Sequence, residues 1–140
     1  MTRIDFYHYA EDKLRYACRL AATVAERDSR LVVFAPDEQV LSAFDRLLWT
    51  FQSTRFVPHC RASDAIAAET PVVLAAGEEA LPHHDVLLNL GHEWPPFFAS
   101  FERLLEIVGT DEEDKARARG RFVFYRKRGY EINVNAIREG

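Results

Sequence analysis

Glycine is scarce in this chain where a phosphate-binding turn would need it. The six glycines (Gly77, Gly91, Gly109, Gly120, Gly129, Gly140) are scattered over 140 residues, and none forms GxGxxG or a Walker loop. Backbone amides cradle a phosphate only where such glycines open a strand-to-helix turn. The first such junction here reads YHYAEDK, so no nucleotide-binding loop is expected. Cysteine is nearly absent too: Cys18 and Cys60 stand far apart with no CxxC pair, and are expected to be reduced thiols in small apolar spaces. No serine sits in a GxSxG elbow, and His8, His59 and His92 are isolated, so nucleophilic catalysis lacks sequence support. His83-His84-Asp85 is the most metal-like cluster, yet neighbours entering a strand face opposite sides and do not ligate together easily. No metal or other cofactor is expected. No apolar run approaches the ~20 residues of a membrane helix, and the amino terminus MTRIDFYHYAEDK reaches charge too early for a secretory signal. A cytoplasmic location is the expectation.

Net positive charge is missing as well, since the whole chain carries −4, which argues against non-specific duplex binding. The distribution is more informative than the total. From Lys115 to Gly140 there are eight Lys/Arg against two acids, whereas the first 114 residues carry ten basic and twenty acidic side chains. Such a field steers an acidic partner to one end of the molecule.

At 140 residues and 48% hydrophobic side chains, the chain suits one domain with a proper core, residues 1–140. Arg3–Tyr7 alternates like a strand. Asp12 offers an N-cap for a helix to Arg27 with Leu14, Ala17, Leu20, Ala21 and Val24 on one face. Leu31–Ala35 reads as a covered strand, and Pro36-Asp37 opens a helix to about Trp49. Phe56–His59 is a short extended piece, and Pro71–Ala75 and Asp85–Leu90 are further buried strands. Pro96–Val108 has the pattern of an amphipathic helix. A last helix, about 111–128, starts in Asp111-Glu112-Glu113-Asp114 and ends in Arg126-Lys127-Arg128 before Gly129, the order favoured by the helix dipole and a glycine cap. Tyr130–Ile137 alternates as an edge strand would. Strands spaced by helices predict an α/β fold, a mostly parallel sheet with helices on both faces.

Two constellations remain as functional candidates. Trp49 with Phe51, Phe56, Val57 and Pro58 either closes one edge of the core or forms an exposed apolar patch for a protein partner. On the last helix, Lys115, Arg119, Phe122 and Arg126 recur at i, i+3 or i+4 spacing and share one face. Cations flanking an aromatic suit an acidic peptide; the alternative is a solvated charged face.

These motifs resemble a known family. LLW followed by FVPH seven residues after the tryptophan, the strand DVLLNL, and the closing KARARGRFVFYRKRGYEIN are similar to the chi subunit of bacterial DNA polymerase III, and the likeness spans essentially the whole chain. The resemblance implies a single Rossmann-like domain without a nucleotide site. It also implies a non-catalytic clamp-loader accessory subunit, found at replication forks, that joins two proteins: the psi subunit, as a heterodimer, and the acidic carboxyl-terminal tail of single-stranded DNA-binding protein (SSB). Carried over by position, the tail site falls on Lys115, Arg119 and Phe122, with Val108 as an apolar wall. Trp49 and Phe56 fall on the psi-facing surface with Val57 and Pro58. The chain departs from the family pattern at Val123, where a further basic residue is common, and Arg126 or Lys127 is the natural substitute. Two rival readings are a direct single-stranded nucleic-acid binder stacking bases on Phe122, Phe124 and Tyr125, and a small nucleotide-dependent enzyme.

Overall fold

The computed structural model describes residues 1–51, 56–78 and 81–137. Alternation in the first residues resolves as β1 (Arg3–Ala10), and Asp12, accepting a hydrogen bond from the Arg15 amide, caps α1 (Lys13–Glu26). The apolar run that follows is β2 (Leu31–Phe34), every residue of it buried. Asp37 caps α2 (Glu38–Thr50) through the Gln39 amide. The third strand, β3 (His59–Arg61), begins where the sequence places the end of its extended piece, and Phe56–Pro58 stand before it without regular structure. Then come β4 (Val72–Ala75) and β5 (Val86–Asn89), both fully buried.

The helix expected over Pro96–Val108 does not form. The segment is a single 3-10 turn at Phe98–Ser100 followed by β6 (Arg103–Gly109). Its helical periodicity comes from Phe97, Phe98 and Phe101, which are buried under one face of the sheet. RLLEIVG then takes a central place in that sheet, buried on both faces, where strands read as continuous apolar runs. The helix expected at 111–128 is α3 (Glu112–Lys127), capped by Asp111 through the Glu113 amide. It ends at Gly129, φ 82°, with the Tyr130 amide donating to the Tyr125 carbonyl, a Schellman arrangement. The tail supplies β7 (Ile132–Ala136).

Among the described residues seven strands form one sheet in the order β3-β4-β2-β5-β6-β1-β7, with every pairing parallel. α1 and α2 cover one face, burying Ala17, Leu20, Val24, Leu41 and Phe44. α3 and the Phe97–Phe101 turn cover the other with Ala118 and Tyr125. Right-handed crossovers on parallel strands require this two-sided arrangement. Neighbouring strands send their outgoing chain to opposite faces between β2 and β5 and between β1 and β6, among other places. Crevices open at such points.

Candidate functional site

The crevice beyond the ends of β1 and β6 holds a cavity of about 380 Å³ lined by Phe6, His8, Tyr9, Val108, Gly109, Lys115, Ala118, Arg119, Phe122 and Val134. Four of the five residues read from the sequence for the basic-helix site, Lys115, Arg119, Phe122 and Val108, therefore meet in one place. Arg126 is exposed and is not among the lining residues.

The walls have separate origins. Phe6 and Phe122 meet edge to face with ring centroids 5.5 Å apart, and with buried Val108 and Ala118 they make an apolar floor. β1 loses its register with β6 between Tyr7 and Ala10, and Tyr9 adopts φ 71°, leaving its ring 55% exposed on the rim beside His8. A left-handed non-glycine residue stores of order 1–3 kcal/mol of strain and is characteristic of ligand sites. Cations stand over this floor. Lys115 faces exposed Glu112 at 3.6 Å, a surface pair worth at most about 1 kcal/mol and easily exchanged. Arg119 is exposed and has no ion pair among the described residues.

Beneath the cavity, two polar anchors hold α3 in place. Asp114 Oδ2 accepts from the Gly109 amide at 2.7 Å, and its Oδ1 pairs with Lys13 Nζ at 3.0 Å. Burial works to raise its pKa, but the Gly109 hydrogen bond and the Lys13 ammonium outweigh it, and the carboxyl sits below its usual range. Deeper, Glu106 is wholly buried in β6. Its carboxylate receives Arg121 Nε at 3.0 Å, the Tyr125 hydroxyl at 2.6 Å and Asn89 Nδ2 at 3.1 Å, while Arg121 Nη1 donates to the His92 carbonyl at 2.8 Å. Burial pushes the Glu106 carboxyl up, opposed by Arg121 and by these hydrogen bonds.

The aromatic patch lies at the other edge of the sheet. Trp49 and Phe56 are 59% and 60% exposed with rings 5.1 Å apart, so they do not close the core; Pro58 is exposed beside them and Val57 alone is buried. The Trp49 ring rests against His59 of β3, whose Nδ1 lies 2.7 Å from the Val57 carbonyl. Residues 52–55, between Phe51 and Phe56 in the sequence, lie outside the described residues.

Other readings meet the structure less well. Tyr125 is fully buried and offers no stacking face, and Phe124 is sandwiched between Trp94, 3.6 Å from ring to ring, and the Arg128 guanidinium. His83 is buried whereas its neighbour His84 is exposed against Phe101, and among the described residues no three His, Cys, Asp or Glu side chains are grouped to hold a metal. Among these residues no helix is long and apolar enough to cross a membrane. The sequence reading missed Phe6, His8, Tyr9, Gly109, Ala118 and Val134 in the cavity. The period-2 alternation that puts Phe6 and His8 on one face of β1 was the available signal; the register pairing Phe6 with Val134 was not legible.

Residues 1–133 match the family model described as DNA polymerase III chi subunit, HolC. The chain is 37% identical to the DNA polymerase III subunit chi of Pseudomonas aeruginosa over 98% of both chains. It is 29% identical to that of Haemophilus influenzae, covering 86% of this chain and 85% of the relative. Identity to the Escherichia coli protein is 26%, over 84% of this chain and 80% of the relative. With the family model matched over residues 1–133 and a relative 37% identical over 98% of both chains, the chain belongs to the DNA polymerase III chi subunit family.

Proposed function

We propose that this protein is a non-catalytic tether that binds the acidic carboxyl-terminal tail of SSB in the β1/β6 cavity and the psi subunit on the Trp49–Phe56 patch. The observation that carries the reading is the cavity itself, in which Lys115 and Arg119 stand over a floor of Phe6, Val108, Ala118 and Phe122. An acidic peptide ending in an aromatic residue matches it group for group: the ring is buried on the floor while side-chain and terminal carboxylates take the cations. The patch supports the second contact. Two aromatics in tilted ring contact, each more than half exposed, are the kind of anchor that a partner's apolar segment covers.

Placement supports tethering. The patch leans on β3, at one edge of the sheet, and the cavity is rimmed by β1 and β7 at the other. Both partners therefore fit at once. Linking two modest contacts raises the effective concentration of the clamp-loader machinery at SSB-coated strands without either contact being tight.

Fluorescence anisotropy of a labelled acidic peptide ending in Pro-Phe tests the cavity. Saturable binding that weakens with salt is expected, and Arg119→Ala loses roughly 1.5–3 kcal/mol of it if the guanidinium bonds a carboxylate. Peptide binding that is indifferent to Arg119→Ala overturns the site. For the patch, Trp49→Ala with Phe56→Ala is expected to abolish co-purification with psi while leaving peptide binding intact.

A further inference from the structure

The crevice between β2 and β5 opens into a cavity of about 820 Å³ that the tethering reading does not use. α3 divides it from the β1/β6 cavity: Arg117, Gly120 and Arg121 line this side, and Lys115, Ala118, Arg119 and Phe122 the other. The two linings are opposite in charge. Both cations of the larger one are already committed, Arg121 to buried Glu106 and Arg117 to Glu113. Its two carboxylates, Asp37 and Glu93, are exposed and have no ion pair among the described residues. Twenty acids against ten bases over the first 114 residues set the same sign around it, so a basic group is steered there.

The wall suits a flat cation. Trp94 stacks on Phe124 with ring centroids 3.6 Å apart, and still keeps 39% of its surface exposed on the lining. Indole is the strongest side-chain partner of a cation. The segment that carries it is braced from below: Asn89 accepts from the Gly91 amide at 2.9 Å and donates to the Glu93 carbonyl at 3.0 Å, and Arg121 Nη1 donates to the His92 carbonyl at 2.8 Å. Asn89 and Arg121 are themselves fixed to Glu106. The buried carboxylate therefore holds Glu93 and Trp94 in place before any ligand arrives, which lowers the ordering cost of binding. Across the cavity, Asp37 caps α2 through Oδ1 and leaves Oδ2 for an external donor.

Gly120 adds room. It lies in the middle of α3, where glycine weakens a helix, and its φ is not positive. A Cβ built there meets nothing within 4 Å, so neither packing nor backbone conformation calls for glycine. Its bare backbone on the cavity lining permits close approach by another chain.

We infer that this cavity docks an arginine-bearing peptide segment of a protein partner. The guanidinium lies on the Trp94 indole and donates to the Asp37 and Glu93 carboxylates, while the flanking residues rest on Pro36, Val40 and Pro96 and cross Gly120. Arginine fits better than lysine because its head is planar, stacks on aromatic faces and donates from a fixed fork to more than one acceptor. A segment fits better than a lone side chain because the volume is that of a site enclosing a drug-sized ligand. This contact is independent of the SSB tail, whose acids the lining repels.

The test is amide and indole NMR of the whole protein titrated with acetyl-Gly-Arg-Gly-amide. Its citrulline counterpart keeps the shape without the charge, its lysine counterpart keeps the charge without the plane, and N-acetylargininamide lacks the flanking residues. The arginine peptide is expected to shift the Trp94 indole and the Gly91 and Gly120 amides saturably at millimolar concentration. The citrulline peptide is expected to be weaker by about tenfold, and the lysine peptide and N-acetylargininamide by about threefold each. Asp37→Asn with Glu93→Gln, in which asparagine keeps the helix cap, is expected to lose about tenfold in affinity. An unchanged thermal midpoint and near-UV spectrum show that this variant is folded. Trp94→Leu, followed at the two glycine amides, is expected to abolish the shifts. The inference is overturned if the arginine peptide shifts nothing at tens of millimolar, or if either variant binds it as the parent does. It is equally overturned if the citrulline peptide, the lysine peptide or N-acetylargininamide binds as tightly, or if magnesium ion alone reproduces the shifts.

Discussion

Arg119 and Arg121 are two residues apart on α3 and do opposite things. Arg119 is exposed at the β1/β6 cavity with no ion pair among the described residues, while Arg121 is 2% exposed and fastened to wholly buried Glu106. The outward face of the helix presents charge and the inward face consumes it. Counting the basic residues of the carboxyl-terminal quarter therefore overstates the field a partner meets. Arg121 is neutralised by Glu106, Arg117 is paired with Glu113 and Lys115 faces Glu112. The free positive potential is concentrated at Arg119 and at the last helical turn, Arg126-Lys127, and the apolar floor lies under the first of these alone.

The widest separation between the two faces is in stability. Removing one partner of a buried pair strands the other, so Arg121→Ala is expected to cost about 3–5 kcal/mol. Glu106→Ala is expected to do the same, read from urea unfolding. Arg119→Ala removes only an exposed side chain and is expected to stay within about 0.5 kcal/mol of the parent in the same experiment. Its effect belongs entirely to peptide affinity. Comparable destabilisation by both arginine variants would break the distinction.

A smaller effect is expected at the joint between the faces. Asp114 ties the first turn of α3 to Gly109 and Lys13, and so sets the height of Lys115 over the cavity. Asp114→Asn is expected to lose roughly 1–2 kcal/mol at neutral pH. The folded pKa of Asp114 lies below its ordinary value, so the unfolded chain takes up the proton first as pH falls, near ~3.9. The stabilisation is complete above that point and disappears as pH drops through the lower folded value. The gap between parent and Asp114→Asn is therefore expected to be constant from pH 7 to about 5 and to close below about pH 4. A gap that persists in acid assigns the loss to geometry instead of charge.

Capping and periodicity make most of the fold readable in the sequence. Asp12 caps its helix as expected, the helices opened at Pro36-Asp37 and at the Asp111–Asp114 run form with Asp37 and Asp111 as their caps, and the tail does form an edge strand. Failure came at 96–108, where Phe97, Phe98 and Phe101 mimic a helical stripe and Glu106 disguises a central strand as amphipathic. A carboxylate is tolerated there only because Asn89 of β5 and Arg121 and Tyr125 of α3 converge on it from two other segments, and no local window contains that convergence. The same limit applies to the cavity. Helical spacing on α3 put Lys115, Arg119 and Phe122 together, but which apolar residues face them depends on the β1–β7 and β1–β6 registers. Spacing alone also added Arg126, one turn beyond Phe122, where the cavity has already ended.

Val123 offers the finest test of the outward face. It is 46% exposed one position after Phe122, with Arg119 four residues before it and Lys127 four after. Val123→Lys places a third cation near the carboxylate ligands without touching the apolar floor. At low salt it is expected to tighten acidic-peptide binding by roughly 0.3–1 kcal/mol, the range of an exposed charge contact. Much of that gain should vanish at an ionic strength where the Debye length falls to about 3 Å. Stability should move the other way, since like charges at i and i+4 oppose each other by about 0.2–0.5 kcal/mol per pair. Opposite signs for affinity and stability in one variant follow if the outward face is built for an external acid. Unchanged affinity would place the bound carboxylates closer to Lys115 and Arg119 than to the second half of the helix, confining the receptor to the cavity itself.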